Sequence, residues 1–192
     1  ISVRAPAKSY GEQETFASDT TDQEFLEATL RRMADKLMAK VRADGKSIRT
    51  VSVKVRYNDM DEEQASQSLK EPTELEEDIY PTTSALLHKA WSRRVSLRLV
   101  CLKLSNVYDG LFRGILGLDH SSYRHDAQQR LIVQVDALRQ KFGRGVLFRG
   151  HDFILRDRSG RGKEPGTQNE LGTVHPLTVP LQPVTNPEFK ET

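Results

Sequence analysis

Over residues 48–57 the chain alternates: Val51, Val53, Val55 and Tyr57 fall on one side, Thr50, Ser52, Lys54 and Arg56 on the other. A two-residue period belongs to a β-strand, whose successive side chains point to opposite faces. A strand written this way puts one face on an apolar core and the other in water. The sheet that contains it must therefore be covered on one side and open on the other.

The neighbouring segments supply the cover. Thr21-Asp22-Gln23-Glu24 reads as a capping box, with the Thr21 hydroxyl accepting from the Glu24 amide. The helix it opens runs to a stop at Gly45 and carries Leu26, Leu30, Met33, Leu37 and Val41 at spacings of four, three, four and four, one apolar stripe. A second helix is predicted over residues 79–93, starting near Pro81 and offering Leu86, Leu87, Ala90 and Trp91 to the same core. Strands are predicted over residues 8–16, before the first helix, and 64–69, an almost wholly polar stretch anchored at Leu69.

Residues 95–105 read as the last strand, with an irregularity. Leu97 and Leu99 flank Arg98, and Leu102 and Leu104 flank Lys103, yet the two apolar pairs have opposite parity. A β-bulge around Val100-Cys101 would repair the register and turn Arg98 and Lys103 to one face. The order strand, helix, strand, strand, helix, strand is an α+β layer: a four-stranded, mostly antiparallel sheet with two helices on one face. Residues 1–7 read as a linker and 8–105 as the domain. Residues 106–122 read as a loop holding Leu111, Phe112, Ile115, Leu116 and Leu118. Residues 123–155 read as a helix, with Leu131, Val135, Leu138 and Phe142 in register and Gly143 at its end, followed by a short strand. Residues 156–192 are rich in Gly, Pro and polar side chains and read as an irregular tail.

Charge is placed unevenly. Residues 59–78 hold nine acids, from Asp59 to Asp78, whereas Arg93, Arg94, Arg98, Lys103 and the stretch 141–163 are mostly basic, within a net charge of +2. Separated patches suit an anionic partner on one face. No apolar run approaches the ~20 residues of a membrane span. One cysteine, Cys101, cannot close an internal disulfide, so a reducing cytoplasm is expected. The histidines lack zinc spacing, the run Asp59-Met60-Asp61-Glu62-Glu63 lacks the pattern of a calcium loop, and neither Gly143-Arg144-Gly145 nor Gly160-Arg161-Gly162 ends as a phosphate loop does. No metal site is expected. A start at Ile1-Ser2-Val3-Arg4 is expected for a piece of a longer chain.

The stretch Lys8-Ser9-Tyr10-Gly11-Glu12-Gln13-Glu14-Thr15-Phe16, after Ala5-Pro6 and before a capped helix, resembles the opening of the little finger of Y-family, DNA polymerase IV-type enzymes. Residues 50–57 are similar to that domain's second strand, Ser68-Leu69 to the end of its third, and residues 95–105 to its last. The resemblance implies a domain joined by a linker to palm, fingers and thumb, which lays its sheet along the backbone of the primer-template duplex. By position it implies backbone contacts from Lys8, Ser9, Gly11, Thr15, Ser68, Arg98 and Lys103. Ser52, Lys54 and Arg56 join them from the alternation itself, because hydroxyls, amides and cations bind phosphate oxygens without reading bases. Where many relatives carry arginines in the third strand, this chain has Ala65 and Gln67, which implies a weaker grip there.

Ile115-Leu116-Gly117-Leu118 is similar to the last residues of a sliding-clamp peptide, which makes Ile115, Leu116 and Leu118 candidate clamp contacts. The carboxylates that hold magnesium in this family lie in the palm, and neither palm motif occurs here. The expectation is a noncatalytic, monomeric DNA-binding domain of a translesion polymerase acting in DNA repair, with no cofactor of its own and magnesium serving the whole enzyme. The competing expectation is a protein-interaction module for the clamp or another repair protein.

Overall fold

A computed structural model of the chain describes residues 8–110 and 120–161. The first helix, α1 (Gln23–Ala43), opens where a side chain stands in for a missing backbone acceptor. Asp22 is extended and accepts from the Phe25 amide at 3.1 Å. The cap is thus Asp22, one residue past the Thr21 expected from the capping box, because the Asp22 carboxylate already reaches the third amide of the helix. The helix ends before Gly45, whose φ of 64° is a conformation that favours glycine.

Four strands, β1 (Ser9–Thr20), β2 (Lys46–Tyr57), β3 (Glu62–Thr73) and β4 (Leu97–Asp109), form one sheet in the order β1-β4-β2-β3. Every neighbouring pair is antiparallel. With α2 (Glu76–Ala90) the order is βαββαβ, the α+β layer expected. Both helices pack on one face. Leu26, Leu30, Met33, Leu37 and Val41 of α1 and Ile79, Leu86 and Leu87 of α2 meet Val51, Val53, Val55 and Tyr57 of β2 and Val100, Leu102 and Leu104 of β4. Each such side chain stabilises the fold by about 1.5–3 kcal/mol through removal from water.

Several boundaries move. The strand expected over residues 8–16 continues to Thr20, that over 64–69 runs from Glu62 to Thr73, and β4 extends four residues past 105. α2 begins at Glu76, so Pro81 lies inside it rather than at its start. Thr73 fixes that earlier start: its hydroxyl accepts from the Leu75 amide at 3.0 Å and donates to Asp78. The bulge exists but sits at Arg98. Arg56 pairs with Leu99 and Tyr57 with Leu97, which leaves Arg98 as the extra residue, while residues 99–105 of β4 keep an unbroken register.

The C-terminal part is helical. α3 (His120–Phe142) is followed by a 3-10 turn (Arg144–Val146) and α4 (Gly150–Arg161), which packs on α1. The short strand expected before residue 155, and the irregular tail expected from 156, are replaced there by α4. Of the α3 residues in register, Leu131, Leu138 and Phe142 are exposed and Val135 is half-buried, while Ile132 beside them is buried. Ions hold this part in place. Arg42 of α1 reaches Glu76 at 2.5 Å and Asp136 of α3 at 2.7 Å, and Arg149 beside α4 pairs with Glu76 and, at 3.1 Å, with Asp35 of α1. Among the described residues no helix is long and apolar enough to cross a membrane.

Candidate nucleic-acid interface

The register of the sheet converts the alternation of each strand into rows that cross all four. Because α1 and α2 cover one face, residues of the other parity face away from them. The first row is Ser9, Ser105, Thr50 and Ser68; the second Gly11, Lys103, Ser52 and Ser66. The third is Gln13, Cys101, Lys54 and Gln64, and the fourth Thr15, Leu99, Arg56 and Glu62. Strands lie ~4.8 Å apart and successive rows ~6.8 Å apart, so the four rows tile a plate that is polar apart from Gly11, the half-buried Cys101 and the buried Leu99. No described helix crosses it.

The helix-facing parity of β1 confirms the orientation. Tyr10 donates to Asp44 at 2.6 Å, and Glu12 and Glu14 pair with Lys36 and Arg32 of α1. Burial and the Asp44 carboxylate push the Tyr10 hydroxyl up to about 12. The motif of residues 8–16 is therefore split by its own period, with Ser9, Gly11, Gln13 and Thr15 left on the open side.

Hydroxyls on the plate are linked. Asn106 donates to Thr50 at 2.8 Å, Thr50 and Ser68 lie 2.8 Å apart, and Ser66 donates to Ser52 at 2.8 Å. The cations differ in their engagement. Lys54 and Arg56 both bind the Glu62 carboxylate, Lys54 at 3.0 Å and Arg56 at 2.5 Å. Their hydrogen bonds and charges hold Glu62 below the usual carboxylate range. Lys103 and Arg98 are exposed and make no ion pair among the described residues. Cys101 is half-buried; burial pushes its thiol up against the opposing pull of Lys54 and Lys103.

The structure thus brings Ser9, Gly11, Thr15, Ser52, Lys54, Arg56, Ser68 and Lys103 onto one surface. Lys8 lies exposed in the bend before Ser9, and Arg98 stands in the bulge beside the fourth row. Ala65 and Gln67 are the exceptions among the positions singled out. They pair with Val53 and Val51 on the helix-facing side, and Ala65 is buried in the core, so neither bears on the grip of the open face. The third strand presents Gln64, Ser66 and Ser68 there. Ser66, Ser105 and Asn106 escaped the sequence reading because their placement depends on pairing between strands. Ile115, Leu116 and Leu118 lie outside the described residues.

The acidic turn is a hairpin between β2 and β3. Asp59 and Asp61 pair with Arg93, which lies over the Tyr57 ring at 4.7 Å from its centroid, and the hydrogen bond from Arg93 holds Asp59 below its ordinary range. Among the described residues no group of three His, Cys, Asp or Glu side chains could hold a metal ion.

Residues 7–112 match the family described as the impB/mucB/samB family C-terminal domain. The chain is 37% identical over 150 residues to a DNA polymerase IV of Opitutus terrae, covering 78% of this chain and 37% of that protein. It is 30% identical over 158 residues to a DNA polymerase IV of Dehalococcoides mccartyi, covering 82% of this chain and 39% of that one. It therefore spans well under half the length of these relatives. Among solved structures it is similar to the little finger domain of PolIV from a complex with the beta-clamp processivity factor, at 25% identity and TM-score 0.41 over 57% of this chain and 97% of that one. It is also similar to the Dbh DNA polymerase of an insertion ternary complex, at 19% identity and TM-score 0.48 over 53% of this chain and 29% of that one. The family match and the polymerase IV relatives bear out the resemblance drawn from residues 8–16, 50–57 and 95–105. The chain belongs to the impB/mucB/samB family and carries its C-terminal domain.

Proposed function

We propose that this domain grips the sugar-phosphate backbone of a primer-template duplex, without reading sequence, on behalf of a translesion DNA polymerase whose catalytic carboxylates and magnesium lie in another part of the protein. One observation carries the reading: apart from Gly11, Cys101 and the buried Leu99, the open face is a four-row plate of hydroxyls, amides and cations with a single carboxylate on it. Such groups hold phosphate oxygens and leave base edges unread, which suits an enzyme that must pass damaged template. The single thiol is consistent with action in a reducing cytoplasm.

The test is the salt dependence of duplex binding. With about four net cations on phosphates, log affinity should fall against log salt with a slope near −3.6, equally for unrelated sequences. Changing Arg98 and Lys103 together to Ala should flatten the slope by about 1.8. A slope unchanged by that pair would remove the duplex from this face. The domain alone should give no primer extension in magnesium.

Docking on a sliding clamp through Ile115, Leu116 and Leu118 is a second reading, supported by the run Ile-Leu-Gly-Leu. Leu116→Ala with Leu118→Ala should abolish clamp binding and spare DNA binding; clamp affinity that survives the change would discard this assignment.

A further inference from the structure

The acidic run at the β2–β3 hairpin is divided among three destinations. Asp59 and Asp61 turn to Arg93. Glu63, facing the helices with Val55, accepts from Ser92 at 2.9 Å. Only Glu62 falls on the open face, because it pairs directly with Arg56 and the two-residue period carries it there. Its carboxylate is the one acid among the sixteen positions of the plate, and two of the three cations in those rows converge on it.

We propose that Glu62 is a resident anion: its carboxylate occupies the phosphate position between Lys54 and Arg56, and a backbone phosphate must displace it to complete the grip. This rests on the backbone-binding reading above and deepens it. A guanidinium and an ammonium meeting one carboxylate present the same donors to a phosphate, which is the better-matched ligand when it arrives as part of a rail. Lys103, with no ion pair among the described residues, makes the first contact in the second row. Lys54 and Arg56 engage only after Glu62 swings aside, a motion open to it at the exposed start of β3. The resident charge lowers the effective number of cations by one. It keeps the grip loose enough for the domain to move along the duplex while synthesis proceeds.

A cross-strand pair that merely pins the hairpin makes the opposite prediction, since losing it would leave DNA affinity unchanged or lower. The experiment is duplex binding by Glu62→Gln, Glu62→Asp and Lys103→Ala at several salt concentrations, with circular dichroism confirming the fold. Glu62→Gln should bind more tightly than the parent and steepen the log–log slope by about 0.9. Its advantage should then grow about 3.5-fold as salt drops from about 200 to about 50 mM. Glu62→Asp, which keeps the charge, should stay near the parent. Adding Lys54→Ala and Arg56→Ala to Glu62→Gln should erase the gain. If Lys103→Ala weakens binding while Glu62→Gln does not strengthen it, Glu62 is a hairpin pair and the proposal fails alone. If neither change affects affinity, the backbone-binding reading fails and takes the proposal with it.

Discussion

Arg42 of α1 donates to the Glu76 carboxylate of α2 at 2.5 Å, and both side chains are buried. The same guanidinium reaches the Glu74 carbonyl at 2.8 Å and Asp136 of α3 at 2.7 Å, while the second oxygen of Glu76 takes Arg149. One cluster of ions therefore ties the helices over the sheet to the C-terminal helices. Burying ions is costly unless each is paired, so a single deletion leaves an uncompensated charge. Arg42→Ala should destabilise the domain by about 3–5 kcal/mol in urea unfolding. A loss below about 1 kcal/mol would mean that the cluster is solvated and carries little.

Asp35 gives the cluster a pH signature. Burial pushes its carboxyl up, but the imidazole of His151 beside it, the hydrogen bond from Tyr80 and the charge of Arg149 outweigh this and hold it below the usual range. His151 Nε2 lies 3.2 Å and Arg149 3.1 Å from its oxygens. A carboxyl depressed in the folded state contributes stability that is fully present above its unfolded value, near ~3.9, and lost as pH falls through the folded value. Unfolding midpoints should fall as pH drops below about 5, and Asp35→Asn should be less stable at neutral pH yet less sensitive to acid. An equal acid response in both proteins would place the sensitivity elsewhere.

The parts of this fold legible in the sequence are those set by local period. The α1 stripe and the β2 alternation depend on neighbours three, four or two residues away, and both sit where the pattern puts them. Parity in β4 revealed that a bulge was needed, but its place at Arg98 is fixed by pairing with β2, which no single strand records. Pro81 drew the start of α2 too late, since Thr73 opens the helix earlier. The stripe of Leu131, Leu138 and Phe142 has true helical spacing, yet periodicity says that a face is apolar and not that it is covered. Nothing in the local pattern marks Arg42 and Glu76 for burial, because charge is normally solvated; only their mutual pairing permits it. For the candidate site, the strand faces were legible and the rows were not, so Glu62 went unnoticed beside Lys54 and Arg56.

Gly11 separates fold from function. A Cβ built there would meet the Leu102 carbonyl at 3.7 Å, an ordinary contact, so the fold does not demand glycine. Gly11→Ala should leave stability unchanged or raise it by up to ~1 kcal/mol through a less flexible unfolded chain. If glycine serves close approach of a phosphate beside Lys103, duplex affinity should fall in the same variant. Unaltered affinity would remove Gly11 from the contact set.

Cys101 lies in the third row, between Gln13 of β1 and Lys54 of β2, and so reports on whatever covers the plate. Its thiol is pushed up by burial more strongly than the nearby lysine charges pull it down. At about pH 7.5 a free cysteine is roughly one-tenth thiolate, so Cys101 should react with iodoacetamide more slowly than that reference. Saturating duplex DNA at low salt should slow it further in proportion to the fraction bound, and high salt should restore the rate. The lysines alone cannot produce that pattern: screening them would lower the thiolate fraction and slow the reaction as salt rises. A rate indifferent to saturating DNA would mean that the duplex lies somewhere other than across the third row.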